Sequence, residues 1–131
     1  MKKNIIVVTG GAGFVGSNLI SYLIDNTNLK IISYDNYSTG TYKNHYSHKN
    51  VKYIKGHTKE ITRKLKRFKK KINAIFHFGE FARIYQSFLK LNECIESNSI
   101  GTHEVFRFCL ENKIKLIYSA TSASLGNNGD D

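Results

Sequence analysis

The stretch Asn4–Ile20, NIIVVTGGAGFVGSNLI, decides how the rest of the chain is read. A β-branched run (Ile5, Ile6, Val7, Val8) gives way to glycines at Gly10, Gly11, Gly13 and Gly16. Glycine weakens strands and helices alike, so crowding it into a strand-to-helix junction implies that something approaches the backbone there. Gly11-Ala12-Gly13-Phe14-Val15-Gly16 matches G-x-G-x-x-G, and Gly10, Gly13 and Gly16 match a variant with glycine at every third position. Behind a strand and ahead of a helix, the pattern suits a pyrophosphate. One glycine permits the tight turn, a second lets the phosphates near the main chain, and a third lets helix and strand pack closely. The helix N-terminus then offers free N–H groups and partial positive charge.

Outward from this junction, apolar segments alternate in type. Strands are expected at 4–9, 29–34, 51–55, 72–78 and 114–119, as short apolar or β-branched runs. Helices are expected at 14–26, where Val15, Leu19, Ile20, Leu23 and Ile24 share a face, at about 58–70, and along 84–112. Residues 36–50 are polar, tyrosine-rich and unperiodic, and read as a loop with one short turn. Strand–helix repetition predicts an α/β fold: a three-layer, doubly wound parallel sheet of about five strands in the order 3-2-1-4-5. With no proline, internal repeat or low-complexity linker, residues 1–131 read as one domain. Asp35 closes the second strand nineteen residues after Gly16, where a carboxylate can accept hydrogen bonds from the adenosine ribose. Its charge opposes a 2′-phosphate, so the sequence favours NAD over NADP.

The bulk numbers exclude several classes. No apolar run approaches a membrane span, and the short apolar stretch after Lys2 and Lys3 is not a signal peptide. Cys94 and Cys109 read as reduced residues of a cytoplasmic protein. His45, His48, His57, His77 and His103 show no metal-ligand spacing, so no metal is expected, and His77 reads as a hydrogen-bonded core residue. The net charge is +10, and residues 59–71 hold eight Lys/Arg against one Glu. Ile61, Leu65 and Phe68 recur at core-facing positions, so the run reads first as a solvated helix face. Nucleic-acid binding through it ranks last, because aromatic interleaving and any recognised motif are missing.

Five pieces, in this order and spacing, resemble the extended short-chain dehydrogenase/reductase family, which includes nucleotide-sugar epimerases and dehydratases. They are TGGAGFVG (9–16), DNYSTG (35–40), IFHF (75–78), SNSIGT (97–102) and IYSATSASLG (117–126). The resemblance implies an NAD-binding Rossmann domain, and assigns roles position by position. Phe14 and Val15 match residues whose backbone meets the pyrophosphate. Asp35 and Asn36 match the adenosine-ribose contact. His57 and Thr58 stand near the adenine, where the family usually has an acidic and an apolar residue. Phe78 and Gly79 follow the fourth strand, and Gly79-Glu80 replaces the family's frequent pair of alanines. The Glu80 carboxylate then either faces substrate or turns to solvent. Ser97 and Asn98 match polar groups near the cofactor, and Gly101 a close helix contact. Thr121 matches the catalytic Ser/Thr that orients the reacting sugar hydroxyl, with Leu125 in place of an aromatic residue before Gly126.

The family's general base lies in a Tyr-x-x-x-Lys pair, and none of the eight tyrosines here has Lys four residues later. The expectation is therefore the N-terminal, NAD-binding part of a nucleotide-sugar epimerase or dehydratase, inactive by itself. That enzyme would act through a transient keto-sugar on a nucleotide-sugar substrate, with homodimer assembly open. The alternative is a non-catalytic NAD(H)-binding sensor or scaffold. A sheet of this length is also expected to leave an apolar surface uncovered.

Overall fold

The computed structural model describes residues 2–121. Its strands are β1 (Ile5–Thr9), β2 (Lys30–Asp35), β3 (Val51–Lys55), β4 (Ile72–His77) and β5 (Lys115–Tyr118). They form one parallel sheet in the order β3-β2-β1-β4-β5. Val7, at the centre, pairs with Ile32 on one side and Ile75 on the other, and all three are buried. Burying a side chain of this kind stabilises by about 2 kcal/mol, which explains the near-continuous apolar runs of a sheet covered on both faces. This is the doubly wound α/β architecture expected from the sequence.

Alternation along each strand divides the core in two. Ile6, Val8, Ile31 and Ala74 face helix α1 (Phe14–Asn26), which supplies Ile20 and Leu23. Ile5, Val7, Ile32 and Ile75 face helices α2 (Ile61–Leu65) and α5 (Thr102–Glu111), which supply Ile61, Leu65, Val105 and Phe108. The helical periodicity placed Val15 on the core face of α1, but it is 57% exposed. It lies in the first turn of the helix, ahead of the buried Gly16, Ser17, Ile20 and Leu23.

Two helical expectations are corrected. The basic segment is a five-residue α-helix between single 3-10 turns at Thr58–Glu60 and Lys66–Phe68. Ile61 and Leu65 are buried and Phe68 packs against the core, so its apolar positions face inward as expected. The stretch 84–112 is several segments: α3 (Ile84–Leu89), α4 (Leu91–Ile95), a π-helical stretch (Glu96–Gly101) and α5. Lys90, at φ −128° and ψ 47°, breaks the helix between α3 and α4. Neither short helix buries a residue, and Ile84, Tyr85, Phe88 and Leu89 are exposed. No helix among the described residues is long and apolar enough to cross a membrane.

Candidate dinucleotide site

The chain passes from β1 to α1 through a turn that only glycine tolerates at two points. Gly10 has φ +69°, and a Cβ there would press on the Phe78 carbonyl. A Cβ on Gly16 would overlap the Gly10 carbonyl, so the first turn of α1 lies against the loop beneath it. The turn is therefore framed by Gly10 and Gly16, with Gly13 between them. Gly11 is buried against Ser33 and Ile20 and serves packing. Gly13 caps α1 with extended backbone and no side-chain hydrogen bond. The N–H groups of Phe14, Val15 and Gly16 then lie in a first turn that has no intrahelical acceptors for them.

Beside this turn, at the strand ends where the order reverses between β1 and β4, lies a small crevice open to solvent. Open α/β sheets bind ligands at such reversals. The crevice brings together Gly10, Gly13, Asp35, Asn36, Thr58, Phe78, Gly79 and Ser97. Its wall also includes Ser38, Thr39, Glu80 and Phe81. Phe14 lines an adjoining recess with Glu80 and Phe81, and His57 another with Asn36, Ser38 and Phe81. Gly11, Val15, Gly16 and Asn98 lie outside the lining, and so does Thr121, exposed three residues beyond β5. The expectations for Leu125 and Gly126 fall outside the described residues.

The Asp35 carboxylate is buried and braces the glycine turn. Oδ2 accepts the Ala12 N–H at 3.0 Å and Oδ1 accepts the Tyr37 N–H at 2.8 Å. Each oxygen keeps acceptor capacity for a ligand hydroxyl. The 36–50 loop closes over the turn: the Ala12 carbonyl accepts from Thr41 N–H at 3.1 Å and from Asn44 Nδ2 at 2.8 Å. On the far side, the loop after β4 is held by the π-helical stretch. Ser97 Oγ donates to the Gly79 carbonyl, while Asn98 accepts from the Phe81 N–H at 2.6 Å and donates back to its carbonyl at 2.9 Å. Asn98 thus shapes the wall from behind. Widened π turns recur at functional sites.

Beneath the crevice runs a hydrogen-bond chain whose direction is fixed. Thr9 Oγ1 accepts the Phe78 and Gly79 N–H groups at 3.1 Å, which fills its lone pairs. Its O–H therefore donates to His77 Nδ1 at 2.6 Å, and His77 Nε2–H donates to Thr102 Oγ1 at 2.8 Å. Thr102 donates to Glu80 Oε1 at 2.7 Å, and the Tyr118 hydroxyl donates to the same oxygen at 3.0 Å. Burial holds the His77 imidazole below its usual range, which suits this neutral tautomer. Burial, then the bond to Glu80 and its charge, push the Tyr118 phenol up. His77 is the hydrogen-bonded core residue expected. The sequence did not reveal that Glu80, Thr102 and Tyr118 converge; the Thr9–His77 pairing at the ends of adjacent strands was its one visible trace.

The residues present fit a dinucleotide. A bare-backbone cradle that a Cβ would fill sits at an uncapped helix N-terminus, with a buried carboxylate at the neighbouring strand end. Among the described residues, no group of three or more His, Cys, Asp or Glu could hold a metal ion.

The sequence pattern of the NAD dependent epimerase/dehydratase family matches residues 6–131. ADP-L-glycero-D-manno-heptose-6-epimerase of Brachyspira hyodysenteriae is 35% identical, over 95% of this chain and 39% of its own length. The solved UDP-N-acetylglucosamine 4-epimerase from Methanobrevibacter ruminantium, in complex with UDP-N-acetylmuramic acid, superposes with a TM-score of 0.83 at 32% identity. That likeness covers 99% of this chain and 42% of the epimerase. UDP-glucose 4-epimerase from Brucella ovis, solved in complex with NAD, is 26% identical with a TM-score of 0.80, over 94% of this chain and 37% of that one. The chain thus spans about two fifths of the length of these relatives.

Proposed function

The chain belongs to the NAD dependent epimerase/dehydratase family, and from that membership we propose that it is the NAD-binding part of an enzyme acting on a nucleotide-sugar. The observation that carries the reading is the Gly10–Gly16 cradle facing an uncapped α1, with Asp35 at the adjacent strand end. The pyrophosphate is assigned to the first-turn N–H groups of α1. The adenosine ribose is assigned to Asp35 and Asn36, and the adenine to the recess beside His57 and Thr58. Asp35 carries its charge where a 2′-phosphate would lie, which favours NAD. When bound, the dinucleotide supplies a reversible hydride acceptor, the route to a keto-sugar and hence to epimerisation or dehydration. Thr121, beyond β5, is assigned to orient the sugar hydroxyl that loses its proton. Localisation in the cytoplasm and assembly as a homodimer belong to the same proposal.

The test is titration of the folded protein with NADH, followed by its fluorescence. Saturable binding, displaced by NAD, is expected; no binding would overturn the assignment. Neither reading expects residues 1–131 alone to turn over UDP- or dTDP-sugars; a reading frame that continues into a Tyr-x-x-x-Lys motif separates the catalytic reading from a non-catalytic NAD(H)-binding module. A nucleic-acid partner for the basic run 59–71 ranks last, because its apolar residues Ile61 and Leu65 turn into the core and leave no aromatic side chains interleaved for base stacking.

A further inference from the structure

We infer that Glu80 sets the redox preference of the bound dinucleotide, favouring the oxidised form. The inference rests on the proposed NAD site. Asp35 and the α1 N-terminus fix the adenosine and pyrophosphate at the β1–β2 side of the crevice. A dinucleotide lying across the reversal point extends its other half over the ends of β4 and β5. Glu80 stands there, in the crevice wall, tied to β5 through Tyr118 and to the start of α5 through Thr102.

Two features make this carboxylate a fixed charge instead of a mobile surface group. Both donors converge on Oε1, as they would on an ionised carboxylate, and they lock the side chain in place. The chain behind it runs one way, from the Phe78 and Gly79 N–H groups through Thr9, His77 and Thr102, so every member presents a donor towards Glu80. The two bonds use one oxygen and leave the other to act on the crevice. The nicotinamide ring of NAD carries a positive charge that is lost in NADH. A held negative charge beside that half of the ligand attracts the oxidised ring, and interacts far less with the reduced one.

The experiment compares dissociation constants for NAD and NADH in the full chain and in Glu80→Gln. Glutamine keeps an acceptor for Thr102 and Tyr118 while removing the charge. The preference for NAD over NADH is expected to fall roughly fivefold, mainly through weaker NAD binding, as suits one unit charge acting through a partly wet crevice. Unchanged preference in a folded variant that binds both forms would overturn the inference and leave the NAD site standing. Failure of the unmodified chain to bind either form would overturn both. If Glu80→Gln does not fold, Tyr118→Phe decides: it removes one neutralising donor and keeps the charge, so preference for NAD should hold or rise, and a fall refutes the role.

Discussion

His77 Nε2–H donates to Thr102 Oγ1 across 2.8 Å, tying the end of β4 to the first residue of α5. The ring itself has no contact with solvent. Thr102→Val removes the acceptor and strands the imidazole N–H. A loss of about 1–3 kcal/mol in urea unfolding is expected, and Thr102→Ser should recover most of it. A valine variant as stable as the parent would show that the bond contributes nothing.

Stability should also depend on pH. Burial lowers the His77 pKa; burial and then the Lys59 charge lower that of His57. In the unfolded chain both take up a proton near about 6.5. Below that pH the unfolded state binds more protons than the native state, so the stabilisation is complete above it and is lost as pH falls through the folded values. The denaturation midpoint should drop between pH 7 and 5. A midpoint that stays level or climbs over this range contradicts the buried neutral ring.

Gly13 and Gly16 should separate binding from folding. At Gly16 a Cβ meets backbone that cannot yield, so Gly16→Ala should cost about 1–3 kcal/mol of stability as well as NADH binding. At Gly13 the backbone suits alanine, and the nearest atom to a new Cβ, the Gly10 carbonyl oxygen, is 3.2 Å away. Gly13→Ala should therefore fold with a loss under about 1 kcal/mol, yet bind NADH at least tenfold more weakly. Equal effects of the two substitutions on stability would contradict this division.

Asp35→Asn should narrow the discrimination between NAD and NADP. The amide keeps an oxygen for one of the two backbone N–H groups and drops the charge. Losing the other bond should lower stability by about 1 kcal/mol. Binding constants for both cofactors check the point, and an unaltered ratio would remove Asp35 from ribose recognition.

The strands were legible because burial on both faces forces short, continuous apolar runs, as in IIVVT and INAIFH, and their order followed from the dinucleotide-binding turn behind the first of them. The glycine turn and Asp35 were legible because their chemistry is local. Two limits are equally physical. Periodicity marks which residues could share a face, but whether a face is covered depends on what reaches it. So 84–112 read as a long, broadly helical stretch, yet the chain breaks at Lys90 and widens over Glu96–Gly101, where Ser97 and Asn98 bond the loop after β4. And although Thr9, His77, Glu80, Thr102 and Tyr118 are scattered along the chain, parallel pairing of β1, β4 and β5 brings the strand ends together and makes them one directed chain of hydrogen bonds. Hydrogen bonding requires angstrom-scale proximity between distant residues, which tertiary packing creates and a linear pattern does not encode.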